Sequence, residues 1–119
     1  PYPLRVSDVV YKKGKYLDAR NKRASKENES NALLCKAKSE KNDFPLVVVQ
    51  ISGAIARRIV CPVKVNDEFS LGKRFGMIKF GSRTELYLPA DLPVELLVKE
   101  GKKIFAGSTI LAKITSAER

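Results

Sequence analysis

Apolar and polar residues alternate loosely from Val6 to Tyr11 and then break at Lys12-Lys13-Gly14, which predicts a strand ending in a turn. Residues 18–31 are polar throughout and read as a loop with room for one helical turn, because no apolar stripe of either period runs through them. Ala32 to Ala37 and Leu46 to Ser52 return to strand-like spacing on either side of the turn formers Glu40-Lys41-Asn42-Asp43. The second strand runs into Ile51-Ser52-Gly53-Ala54-Ile55-Ala56, whose small side chains permit close backbone packing. Met77 to Phe80 and Thr84 to Leu88 predict two further strands, with Gly81-Ser82 a turn or bulge between them. Pro62, Pro89 and Pro93 suit strand edges and turns, since proline cannot donate to a ladder.

An internal repeat adds to this pattern. The run Val63-Lys64-Val65-Asn66-Asp67-Glu68-Phe69 through Phe75 aligns with Val98-Lys99-Glu100-Gly101-Lys102-Lys103-Ile104 through Ile110, at an offset of 35 positions. Asn66 falls on Gly101, and both residue types tolerate a left-handed turn; Gly72 falls on Gly107, Phe69 on Ile104 and Phe75 on Ile110. Each copy reads as strand, tight turn and short strand, and such units resemble the hammerhead-like pieces of biotinyl and lipoyl domains. The expected class is all-β with minor α content. Its architecture would be a barrel-sandwich or duplicated hybrid-like β fold with two hammerhead-like repeats.

Length and composition narrow the function. A chain of 119 residues has room for one domain, and 44% hydrophobic with 30% charged residues describes a globular protein. The longest apolar run, Pro45 to Val49, is far short of the roughly 20 residues a spanning helix needs. The formal charge of +10 favours an anionic partner (nucleic acid, phospholipid headgroups or an acidic substrate) or else a solvated basic face. Five Phe and four Tyr form no evident stacking platform, so nucleic acid is not the expected partner. Histidine is absent, and Cys35 and Cys61 lack metal-ligand spacing, so no metal is expected and the two thiols read as buried and reduced.

A lone Gly-Ser carries little information, but its surroundings here do. Four segments, Asn28-Glu29-Ser30-Asn31, Gly53-Ala54-Ile55-Ala56-Arg57-Arg58-Ile59-Val60, Arg74-Phe75-Gly76-Met77-Ile78-Lys79-Phe80-Gly81-Ser82-Arg83 and Tyr87-Leu88-Pro89, occur in this order across most of the chain. Together they resemble the short bacterial phosphatidylserine decarboxylases, with Phe80-Gly81-Ser82-Arg83 in place of that family's Gly-Ser self-cleavage element.

The resemblance implies that Ser82 attacks the carbonyl of Gly81, that the chain splits there, and that Ser82 becomes a pyruvoyl group. This built-in cofactor forms a Schiff base with phosphatidylserine and acts as an electron sink for loss of carbon dioxide, leaving phosphatidylethanolamine. No exogenous cofactor is implied. Residues 1–119 would be a single domain, the C-terminal part of the catalytic domain, with 1–81 in the β chain and 82–119 in the α chain. Arg57, Arg58 and Arg83 are candidates for the substrate's phosphate or carboxylate, or else for ordinary ion pairing. Asn28, Glu29 and Asn31 are candidates for hydrogen bonding around a buried turn. The cluster Lys12, Lys13, Lys15, Arg20, Lys22, Arg23 and Lys26 would face an anionic bilayer, making the protein peripheral on the cytoplasmic side of the cell membrane. A homo-oligomer is also among the expected assemblies.

The chain departs from the family at one point. The family's cleavage base is a histidine upstream of the matched region, and these residues include none. The expectation is that a histidine-bearing segment precedes Pro1 in the whole protein and that this chain alone does not process itself. Two other classes compete: a biotinyl or lipoyl-like carrier loaded on Lys79, and a basic RNA-binding β-barrel.

Overall fold

Runs of valine, isoleucine and leucine flanked by turn formers become strands wherever a neighbour can take up their backbone groups. The computed structural model describes residues 2–15, 17, 18, 22–39, 43–54, 59–70, 73–78, 81–105 and 108–115. The chain divides into two compact units, Pro1–Tyr87 and Leu88–Arg119.

The first unit is built on an antiparallel sheet of order β5-β1-β2-β3-β7, formed by β1 (Leu4–Lys12), β2 (Ser30–Ala37), β3 (Phe44–Ile51), β5 (Glu68–Phe69) and β7 (Arg83–Tyr87). A separate ribbon pairs β4 (Ile59–Val60) with β6 (Met77–Ile78). The short α1 (Ala24–Glu27) is the helical turn allowed for in the polar loop. The β class expected from the pattern is therefore the class observed.

Register decides which residues share a face. Val6 opposes Cys35, Val9 opposes Leu33, and Leu33 opposes Val48, with a bulge at Ser7 between Val6 and Asp8 keeping both halves of β1 in step. Val6, Leu33 and Cys35 thus line one face and pack with Val63, while Leu4, Val9, Leu46, Cys61, Phe69 and Phe75 close around them. Val6 and Leu33 are almost wholly buried, and each such side chain contributes about 1.5–3 kcal/mol. Burial pushes the Cys35 thiol above its ordinary pKa, with the nearby Cys61 adding to the effect, and both thiols are unbridged.

The polar loop after β1 is held by hydrogen bonds instead of apolar contacts. Asn28 is fully buried; its Nδ2 donates to the carbonyls of Leu17 and Ser52, both at 2.8 Å, and its Oδ1 accepts from the Leu17 N–H at 2.8 Å. The Lys15 N–H donates to the Glu27 carbonyl at 2.7 Å and the Glu29 N–H to the Lys15 carbonyl at 3.0 Å. Gly14 lies so close that a Cβ there would stand 2.3 Å from the Glu27 carbonyl oxygen. This tether fixes where β2 begins, two residues earlier than the apolar pattern alone places it.

The second unit contains the ribbon of β8 (Val94–Leu96) and β9 (Ala112–Ile114). Two pairs of turns recur at the repeat offset. Asp67 N–H to Lys64 carbonyl matches Lys102 N–H to Lys99 carbonyl, both at 3.1 Å, and Lys73 to Ser70 matches Ser108 to Phe105. Asn66 at φ 76° and Gly101 at φ 85° occupy the left-handed position of the first turn in each copy. The strands differ: Glu68–Phe69 pairs with β1, whereas residues 103 and 104 lie in no strand. Gly72 and Gly107 lie outside the described residues.

Candidate active site

Strand β7 brings the Gly81-Ser82 element to the end of β3. Five registered pairs run from Val47 opposite Tyr87 to Ile51 opposite Arg83. Beyond the last pair the two chains stay side by side. A Cβ built on Gly53 would stand 2.0 Å from the Gly81 carbonyl oxygen and 2.8 Å from its carbonyl carbon, so this approach exists only because residue 53 has no side chain. The close packing expected from the small residues 51–56 is thus realised at Gly53. Gly81 itself has φ 84°, a conformation in which an L side chain is strained.

The strand end that carries Gly53 is anchored by hydrogen bonds. Ser52 is fully buried, its N–H and Oγ donate to the Glu29 carbonyl at 3.1 and 3.2 Å, and its own carbonyl accepts from Asn28. The expectation that Asn28 bonds a buried turn corresponds to this arrangement, and it places the anchor directly beneath the strand end that carries Gly53. Glu29 extends the network through Oε2, which accepts from the Tyr11 hydroxyl.

Among the described residues, three buried side-chain atoms have no hydrogen-bond partner: Ser82 Oγ, Gln50 Oε1 and Glu29 Oε1. A buried polar atom without a partner costs about 1–3 kcal/mol, so such atoms mark places where the fold serves something besides its own stability. The Ser82 hydroxyl is out of water, bound to no competing group, and next in sequence to the Gly81 carbonyl that packs against Gly53. That geometry suits attack on the preceding carbonyl carbon.

The candidate residues do not all converge. Gln50 opposes Thr84, and Ser82, two positions before Thr84, falls on the same face; Arg83 opposes Ile51 on the other face and pairs with Glu85 at 2.6 Å. Arg57, Arg58 and Lys79 lie outside the described residues. In the basic cluster, Lys15 and Arg23 pair with Glu27 at 3.0 and 3.4 Å, Lys12 Nζ donates to the Lys26 carbonyl, and Arg20 lies outside the described residues. The hydrogen bond from Lys15, aided by the charges of Arg23 and Lys12, holds the Glu27 carboxyl below its ordinary pKa. Lys13, Lys22 and Lys26 stay exposed.

Two features at the site escape a reading of motifs. Gln50 interrupts the apolar run of β3, and a glutamine in that company is a signal that could have been weighed. Gly76 is the other: a Cβ there would stand 2.5 Å from the Val60 carbonyl oxygen and 3.2 Å from Gln50 Nε2, so the missing side chain makes room for the Gln50 amide.

Fold and site together define an antiparallel β protein with an unpartnered serine hydroxyl beside a glycine-clamped peptide. The family described as phosphatidylserine decarboxylase matches residues 1–112. A Geotalea uraniireducens protein named phosphatidylserine decarboxylase proenzyme is 49% identical over 111 residues, covering 93% of this chain and 50% of that one. Proteins of the same name from Geobacter sp. (strain M21), 44% identical over 93% of this chain and 48% of that one, and from the Wolbachia of Brugia malayi, 42% identical over 96% and 47%, match as well. The chain belongs to the phosphatidylserine decarboxylase family, and it spans about half the length of the curated relatives it matches. No solved structure matches it.

Proposed function

We propose that this chain is part of a phosphatidylserine decarboxylase proenzyme that cleaves itself between Gly81 and Ser82, converting Ser82 into a pyruvoyl group. The observation that carries this reading is the buried, unpartnered Ser82 Oγ beside Gly81, whose backbone is held at positive φ against Gly53.

In the first step Ser82 Oγ bonds to the Gly81 carbonyl carbon, the Gly81–Ser82 C–N bond breaks, and the freed nitrogen takes up a proton, leaving an ester. Loss of the Ser82 Cα proton with rupture of the Cβ–Oγ bond releases a carboxylate on Gly81 and leaves dehydroalanine. Water then replaces its nitrogen, which departs as ammonia. Ser52 and Asn28 keep the strand end still while this happens, and Gly53 holds the carbonyl in place without blocking it. The histidine that serves as base in the family is absent from these 119 residues, and none of them is assigned that role. Once formed, the group supplies an electrophilic carbonyl that acts as an electron sink for decarboxylation of an amine-bearing substrate.

The substrate in this reading is phosphatidylserine, met at an anionic membrane surface by a peripheral protein on the cytoplasmic side. Lys13, Lys22 and Lys26, the exposed members of the basic cluster with no ion pair described above, support this reading. The test is Ser82→Ala in the protein expressed at the length of its curated relatives. The unsubstituted protein should appear by intact mass as two fragments, the smaller blocked at its amino terminus, while Ser82→Ala stays whole, folds, and makes no phosphatidylethanolamine. Decarboxylation by the Ser82→Ala protein would refute the assignment.

A further inference from the structure

Gln50 is one of the most buried polar residues of the first unit, 4% exposed, near the end of β3, and the buried Asn28 amide nearby in the chain fold is fully bonded whereas this one is not. Its Oε1 is enclosed and accepts no hydrogen bond among the described residues. The amide lies near Gly76, where a Cβ would stand 3.2 Å from Nε2 and 2.5 Å from the Val60 carbonyl oxygen. An amide carbonyl held without a donor is a costly arrangement, and in a packed core leucine or methionine would fill the same volume without that cost.

Its place explains why it is there. Gln50 opposes Thr84, and Ser82 stands two positions before Thr84, immediately ahead of the first residue of β7. Diagonal neighbours of an antiparallel pair lie about 7–8 Å apart, a gap that one small polar group bridges. The Gly53–Gly81 approach shows that the two chains are still adjacent at that level. The bond-forming carbon of the group made from Ser82 is thus about one diagonal spacing, roughly 7–8 Å, from an acceptor that lacks a donor, and the atom that must reach that carbon is the nitrogen of a primary amine. An amine nitrogen brings N–H donors with it.

We infer that Gln50 is a substrate-positioning residue whose Oε1 accepts an N–H from the substrate's amino group and aims its nitrogen at the carbon derived from Ser82. This rests on the proposed function and adds to it the residue that recognises the amine. Recognition by a neutral carbonyl also suits the chemistry, because a carboxylate there would hold the nitrogen as ammonium, which has no lone pair to offer.

The test uses the protein at the length of its curated relatives carrying Gln50→Met, a side chain of similar length without the acceptor. The chain should still split at Gly81–Ser82, and the blocked terminus should react with hydroxylamine as before. Reductive capture of glycerophosphoserine by cyanoborohydride should fall at least about tenfold, the loss expected for one buried hydrogen bond. A second measurement needs neither cleavage nor a substitution at residue 50. In the uncut Ser82→Ala protein, the side-chain amide resonances of Gln50 should move when glycerophosphoserine is added and stay when glycerophosphate, which has the phosphate but no amine, is added. Unchanged capture by Gln50→Met, or resonances that respond equally to both compounds or to neither, overturns the inference. A folded Gln50→Met chain that no longer splits also overturns it, by giving the oxygen to the processing step. If the unsubstituted protein never forms the blocked terminus, the decarboxylase reading itself fails, which is a separate result.

Discussion

The Gly81 carbonyl oxygen sits 2.0 Å from where a Gly53 side chain would begin, so the peptide bond before Ser82 rests directly on the backbone of the neighbouring strand. A methyl group at residue 53 must push that carbonyl away, and backbone on both sides leaves no flexible atom to yield. Gly53→Ala is therefore expected to stop or strongly slow the split at Gly81–Ser82 in the full-length protein, as seen by intact mass. Placing Gly53→Ala in the uncut Ser82→Ala background measures its folding cost separately. If Gly53→Ala processes at the normal rate, the contact has no bearing on the chemistry.

The same register predicts the fate of the products. A cut before Ser82 leaves β7 at the start of the new chain, still paired with β3 from Val47 opposite Tyr87 to Ile51 opposite Arg83. The two fragments should co-elute from gel filtration in native buffer and separate only in denaturant. A smaller fragment eluting alone would show that β7 leaves the sheet after the cut.

Asn28 joins Leu17 and Ser52 through three bonds of 2.8 Å in a fully buried position. Asn28→Ala leaves the Leu17 and Ser52 backbone groups without these partners and should cost about 2–4 kcal/mol, seen as a lower denaturant midpoint. Asn28→Asp keeps the acceptor for the Leu17 N–H but loses both donated bonds, so it should also destabilise the fold. A midpoint within about 0.5 kcal/mol of the parent for Asn28→Ala would mean that water replaces the side chain without loss.

The basic cluster is partly spent on internal pairing, with Lys15 and Arg23 on Glu27 and Lys12 on the Lys26 carbonyl. Vesicle binding through the remaining charge should need anionic lipid. It should weaken steeply with salt, since the Debye length falls from about 10 Å at 0.1 M to about 3 Å at 1 M. Exchanging Lys22 and Lys26 for glutamate should weaken sedimentation with such vesicles more than exchanging Lys15, whose charge is already paired. Equal sedimentation at both salt concentrations would remove the cluster from any membrane role.

Much is legible in the amino-acid sequence alone. The strands follow from apolar spacing, the turn positions from Asn66 and Gly101, and the Gly81-Ser82 element from its flanking segments. These are local properties, set by residues within a few positions of one another or by a motif that travels intact. The second layer is not local. Gly53 and Gly81 meet because β3 and β7, separated by the whole segment that forms β4 to β6, become neighbours in the sheet. Pairing also assigns faces: it puts Gln50 opposite Thr84, two positions after Ser82, and turns Arg83 to the opposite side with Glu85, while hydrogen bonds bury Asn28 from a stretch that looks wholly solvated. A period of two along a strand says that residues alternate, but only the partner strand says which face is which. The sequence by itself determined the β class, the longer strands and the Gly81-Ser82 element proposed to carry the chemistry. Tertiary structure alone decided what stands next to that serine, because contacts between distant strands depend on register, and register belongs to the assembled sheet.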